Sequence, residues 1–174
     1  MILWEIGTPM ATLTLADEIF ELYRELLSDL PPGTASLTRQ RSRDPAGGED
    51  IDVTPTNPNS AQISHHPLGD IIYSSVGRHT TTEFWVGSRK QEEQELENLR
   101  KISRAVIEGK FSEDVWTLDD KVVKSRATIQ IDGKMRGIGA FVTFSNPLRR
   151  KQRQHFDYAP YVLPEHVKLG NSDL

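Results

Sequence analysis

Cysteine is absent from the 174-residue chain. That single absence excludes disulfides, thiol nucleophiles, thiolate-bound zinc and iron–sulfur clusters. Long apolar runs are missing too; the longest are a few residues, far short of the roughly 20 that a helix needs to span a bilayer. The opening Met1-Ile2-Leu3-Trp4-Glu5-Ile6 has no basic stretch and reaches an acid at Glu5, unlike an export signal, so a cytoplasmic location and no membrane partner are expected. Charge of one sign does not dominate, since the net value is −4. A quarter of the chain is Leu, Ile, Val or Phe, too much for a disordered polypeptide.

The usual signatures of catalysis are missing as well. There is no Gly-x-Ser-x-Gly elbow and no Gly-x-x-x-x-Gly-Lys-Ser/Thr loop. The glycine-rich stretch Gly133–Gly139 follows a turn and opens no helix, so it lacks the helical N–H groups that cradle phosphate. The histidines, at 65, 66, 79, 155 and 166, include no His-x-x-x-His pair, and the adjacent His65 and His66 would point to opposite sides of a strand. No metal and no cofactor are expected.

What is present is a pattern of alternating periods. Ile2–Ile6 and Ala11–Leu15 read as short strands. Ala16, Ile19, Phe20, Tyr23, Leu26, Leu27 and Leu30 then recur at three and four residues, one apolar helical stripe. Thr14 with Asp17 forms a capping box at its start, and Pro31-Pro32-Gly33 stops it. A second helix runs from the cap Ser88, with Gln91 in the reciprocal position, through Leu96, Leu99, Ile102 and Val106 to Gly109. Glu97 stands four residues before Lys101, the favourable order for an ion pair.

Strand periodicity marks Ile71–Val76, His79–Val86, Val115–Leu118, Lys121–Ile131 and Lys134–Phe144. Gly77-Arg78 suits a two-residue type II′ turn, and Asp132-Gly133 suits type I′. Hairpins make antiparallel neighbours. The expected fold is therefore α+β, a mainly antiparallel sheet with two amphipathic helices on one face, in a single domain over 1–174. Residues 31–69 hold six of the ten prolines, and between Thr38 and Gln62 the only large apolar residues are Ile51 and Val53. A mobile loop is expected over 38–62, with short strands near Ala35–Arg39, Ile51–Thr54 and Ala61–His65 as alternatives, and an irregular tail over 146–174.

Hairpin arithmetic places candidate sites. With a two-residue turn at Asp132-Gly133, Lys124 and Arg126 share a polar face with Thr128, Gly137 and Gly139, and Gly139 stands opposite Arg126. That face would suit an anionic ligand or an acidic loop of a partner. With a two-residue turn at Gly77-Arg78, Ser74, His79, Thr81 and Glu83 share a face, the materials of acid–base chemistry, although His79 and Glu83 lie roughly 13 Å apart along one strand. Arg149, Arg150, Arg153, Phe156 and Tyr158 interleave cations with aromatic rings, as single-strand nucleic-acid surfaces do. The overall acidity opposes that reading.

The expected function is that of a non-catalytic binding protein with an unidentified protein partner, using the polar sheet face (His79, Glu83, Lys124, Arg126) and charged loops. The alternatives are a hydrolase-like enzyme on the Ser74/His79/Thr81/Glu83 face and nucleic-acid binding through 149–161. A homodimer through an exposed sheet edge stays open. Charge is segregated along the chain, with one Arg against six acids in residues 1–30 and seven cations against Asp132 in residues 125–154.

Overall fold

The computed structural model describes residues 13–142 and 151–163. Helix α1 spans Leu15–Ser28, followed by strands β1 (Ala35–Arg41), β2 (Glu49–Pro55), β3 (Ile63–Leu68), β4 (Ile71–Val76) and β5 (Thr80–Trp85). Helix α2 spans Arg89–Ile107, followed by β6 (Phe111–Leu118), β7 (Lys121–Ile131), β8 (Lys134–Val142) and β9 (Gln152–Asp157). The fold is α+β with antiparallel pairing throughout, but the strands form two sheets rather than one. The first is ordered β1-β2-β3-β4-β5 and the second β8-β7-β6-β9.

Both helices start as their caps dictate. The Thr14 side chain accepts from Asp17 N while the Asp17 carboxylate accepts from Thr14 N at 2.7 Å. Ser88 accepts from Gln91 N. At the far end of α2, Gly109 adopts φ +73° and its N–H bonds Val106 O, while Lys110 N bonds Ala105 O. These are the two bonds of a Schellman stop. The α1 stripe buries Ala16, Ile19, Leu22, Tyr23 and Leu26 against β1 and β2, and α2 buries Leu99, Val106 and Ile107 against β5 and β7. Both helices contribute to one core with Ile51, Val53, Ile63, Ile72, Phe111, Ala127 and Ile129.

Several expectations change. Leu13 and Thr14 are irregular and Leu15 already belongs to α1, because the Thr14 cap starts the helix there. The rest of the expected Ala11–Leu15 strand, and Ile2–Ile6, lie outside the described residues. The region 38–62 is no structureless loop: the alternative short strands near Ala35–Arg39 and Ile51–Thr54 form, and β1 and β2 pair from Ala35↔Pro55 to Arg41↔Glu49. One covered face is enough for such a hairpin, and α1 completely buries Ile51 and Val53 upon it. The tail read as irregular over 146–174 contains β9, paired along β6 from Ser112↔Asp157 to Thr117↔Gln152. Beyond β9, Tyr161 is buried, its hydroxyl donating to Ala61 O at 2.8 Å.

Both hairpin registers also shift. The β4–β5 connection is a three-residue turn, Gly77-Arg78-His79, with Val76↔Thr80 and Tyr73↔Glu83 as partners. The β7–β8 pairing follows the expected register from Ile131↔Lys134 to Ala127↔Ile138. A bulge then places Arg126 opposite Ala140 instead of Gly139. Gly139 has φ +58°, and a Cβ there would lie 2.5 Å from Thr81 O, so the bulge is where β5 passes against the second sheet.

Candidate functional site

The one-residue shift dismantles the face expected for acid–base chemistry. Ser74 lies on the covered side with Ile72, Val76 and Thr80, whereas Thr81 and Glu83 lie on the open side with Tyr73 and Ser75. His79 belongs to the turn itself. Its carbonyl accepts from Ser125 Oγ at 2.9 Å and its N–H donates to Glu113. The four groups do not converge.

Each side chain with catalytic potential in the covered layers is held by internal partners. His65 is completely buried, between the Tyr23 hydroxyl at 2.6 Å on Nε2 and Ser74 Oγ at 2.7 Å on Nδ1. The Tyr23 hydroxyl also meets Ser103 Oγ of α2, so four hydroxyl and imidazole groups tie both helices to the first sheet. Burial pulls the His65 pKa down to about 3. Two hydroxyl partners, each able to donate or accept, suit the resulting neutral ring.

Glu113, also fully buried, anchors the turn that the sequence misjudged. Its Oε1 accepts from His79 N at 3.0 Å and from the Thr80 hydroxyl, and its Oε2 accepts from Arg78 N at 3.0 Å and from the Tyr158 hydroxyl. The carboxylate thus joins the second sheet to the β4–β5 turn of the first. The Arg78 guanidinium lies 4.8 Å from the centre of the Phe156 ring on the same side. Tyr158, its pKa raised by burial and by Glu113, packs its ring at a tilt against Phe111, the centres 5.2 Å apart. Phe156 and Tyr158 therefore serve the junction and present no free ring to a base.

On the open side of the first sheet, Asp50, Asp52, Ser64, His66, Tyr73 and Ser75 line a hollow of about 230 Å³ that hairpin arithmetic did not anticipate. His66 Nδ1 is 2.9 Å from Asp50 Oδ1, and Ser64 Oγ donates to Asp52. An Asp–His pair could exchange protons. However, the other His66 nitrogen, Nε2, is buried without a partner among the described residues, and a Cβ on Gly48 would stand 3.5 Å from it. The nitrogen that would meet a substrate is closed off by the chain at Gly48. Among the described residues, no group of three or more His, Asp or Glu is arranged to hold a metal ion.

The open face of the second sheet is different. Strand pairing lays its side chains out as a grid, with Arg153, Trp116 and Lys124 in one row and His155, Asp114 and Arg126 in the next. Lys124 Nζ sits 4.5 Å and Arg153 Cζ 5.6 Å from the centre of the Trp116 ring, so cations from both flanking strands rest on one indole. Asp114 has Arg126 as its neighbour on β7, yet it turns the other way. It accepts from Arg153 Nε at 3.0 Å and Nη2 at 2.8 Å and lies 2.9 Å from His155 Nδ1.

The second His155 nitrogen is 3.1 Å from Asp157 Oδ1. Both ring nitrogens face carboxylate oxygens, which only accept, so the imidazolium suits the site. The hydrogen bond to Asp114, then the one to Asp157, raises its pKa above the ordinary histidine value. Among the described residues, no carboxylate pairs with Lys124 or Arg126.

Residues from two separate stretches of the sequence therefore meet here. Lys124 and Arg126 came from the β7–β8 hairpin and Arg153 from the basic-aromatic segment. Trp116 and Asp114 were missed, and His155 was read only as part of the 149–161 segment, because the pairing of β6 with β9 joins residues about 40 positions apart. Arg149 and Arg150 lie outside the described residues, and Glu83 stands exposed on the other sheet beside Tyr73. Compared with known proteins, the chain matches no family model, no curated protein and no solved structure.

Proposed function

We propose that this is a non-catalytic binding protein whose working surface is the open face of β7, β6 and β9, directed at an anionic partner. One observation carries the reading: Asp114 is drawn to β9 by Arg153 and His155, and Lys124 and Arg126 are left on an open sheet face with no carboxylate partner among the described residues. A surface cation that only kept the protein soluble would have no need of an indole beneath it. Stacking on Trp116 holds Lys124 in place at a gain of about 0.5–1 kcal/mol, and a pre-positioned charge loses less entropy when it meets a ligand. The internal use of His65, Ser74, Ser103 and Glu113 supports a binding role over a hydrolytic one. No helix of the described residues is long and apolar enough to cross a membrane.

The test compares two charge reversals of equal size on a heparin matrix at low salt. Lys124→Glu/Arg126→Glu should weaken retention strongly. Lys90→Glu/Lys101→Glu, on the exposed side of α2, should weaken it much less. Equal losses would mean that the matrix senses net charge alone, and the reading would fail.

A further inference from the structure

We infer that the ligand of this face is an extended acidic stretch of polypeptide with carboxylates at alternate positions, an inference that rests on the open face of the second sheet being the working surface. The spacing comes first. Lys124 and Arg126 are two residues apart on β7 and project from the same face, so their Cα atoms are separated by roughly 6.6 Å. Alternate side chains of an extended peptide repeat at the same distance and on one side. An acid–x–acid segment laid along β7 would therefore offer one carboxylate to each cation, while the intervening side chains point away.

Three observations set a peptide apart from a nucleic-acid strand. Among the described residues, the rings of β6, β9 and the segment after it are engaged: Phe156 carries the Arg78 guanidinium, Tyr158 packs on Phe111, and Trp116 is met by cations from both flanking strands. Single-strand binding draws much of its energy from aromatic faces open to bases, and these are occupied. Next, Asp114 and Asp157 stand in the grid beside the cations. A phosphodiester chain carries a charge at every nucleotide and would have to pass them, whereas a peptide can place an uncharged residue there. Finally, Thr128, opposite Gly137, and Ser112, hydrogen-bonded to it at 3.0 Å, continue the face with small hydroxyl groups on which an extended backbone can lie.

The experiment is an NMR titration of the ¹⁵N-labelled full chain at low ionic strength with three probes of equal net charge. These are a decapeptide of alternating Glu and Ser, a decapeptide with its Glu residues in one block, and an oligothymidylate. The alternating peptide should shift the Trp116 indole N–H and the Lys124 and Arg126 amides, and bind at least tenfold more tightly than the other two. Lys124→Gln/Arg126→Gln should abolish those shifts while leaving the rest of the spectrum in place. Equal or tighter binding of oligothymidylate at the same residues would overturn the peptide assignment and keep the anionic surface. Equal binding of the two peptides would overturn the strand spacing. If none of the probes moves these residues, the surface itself is refuted, and the peptide assignment falls with it.

Discussion

Glu113→Gln tests whether the two sheets are joined as described. The substitution keeps the shape of the side chain and changes only what its end can accept. Each carboxylate oxygen holds one backbone N–H, that of His79 on Oε1 and that of Arg78 on Oε2, both at 3.0 Å. An amide supplies one acceptor and one donor, so either orientation sets an NH₂ against a part-buried backbone N–H. The less costly orientation points the NH₂ at Arg78, because Arg78 N also reaches the Tyr158 hydroxyl at 3.1 Å. The loss is then about 2 kcal/mol, from one crowded donor and the weakening of charge-assisted bonds to neutral ones. Tyr158→Phe alone should cost about 1 kcal/mol. The double variant removes the fallback partner of Arg78 and should cost about 4 kcal/mol, more than the two singles together. Urea unfolding followed by tryptophan fluorescence and circular dichroism gives all three values. A Glu113→Gln protein within about 0.5 kcal/mol of the parent, or strict additivity in the double variant, would refute the junction.

Gly77→Ala meets the same junction from the other side. Its φ is +69°, and the new Cβ would lie 2.8 Å from Glu113 Oε2 and from the Tyr158 hydroxyl. The left-handed backbone costs about 1 kcal/mol and repacking a further ~1–3; an unchanged unfolding midpoint would contradict the contact. Tyr23→Phe leaves His65 Nε2 and Ser103 without their shared partner and should lower stability by about 2 kcal/mol in the same assay. His65, neutral in the fold down to a pKa of about 3 and near 6.5 when unfolded, makes the unfolded chain take up a proton first on acidification. The stability it provides is complete above pH 6.5 and falls as the pH drops towards 3, by about 1.4 kcal/mol per unit. Between pH 7 and 5, His65→Asn should flatten that slope, and an equal slope in both proteins would exclude the mechanism. His155 has the opposite sign: its raised pKa stabilises the fold fully below the unfolded value and ceases to do so as the pH rises through the raised one. Its ¹³Cε1 titration should have a midpoint above 6.5, which Asp114→Asn lowers.

Local chemistry was legible where its partners are near in sequence. Thr14 and Asp17 settle the start of α1 within three residues, Ser88 and Gln91 settle α2, and Gly109 ends it. Asp132-Gly133 turns with φ of +52° and +74°, as its type I′ chemistry requires, and the register holds down to Ala127↔Ile138. The β1–β2 hairpin showed only as the alternative short strands near Ala35–Arg39 and Ile51–Thr54, because it needs so little apolar surface of its own: Leu37, Ile51 and Val53 suffice once α1 covers them. A count of hydrophobic residues along the chain does not register a lid supplied by another element. Strand β9 was hidden for the related reason that an edge strand, exposed along most of its length, has almost no alternation to detect.

The candidate surface was half legible for the same cause. Lys124 and Arg126 follow from one hairpin, whereas Trp116, Asp114 and His155 depend on β6 lying between β7 and β9. Periodicity, caps and turn dihedrals express forces that act within about one turn or one strand pair, and these the amino-acid order determines without help. Which N–H groups a buried carboxylate captures is another matter. Glu113 takes those of Arg78 and His79 from more than thirty residues away, lengthens their turn by one position, and so decides which side of a sheet Ser74 and Glu83 occupy. Only the assembled tertiary structure brings that acceptor within reach, because a lone turn in water has no such partner to choose.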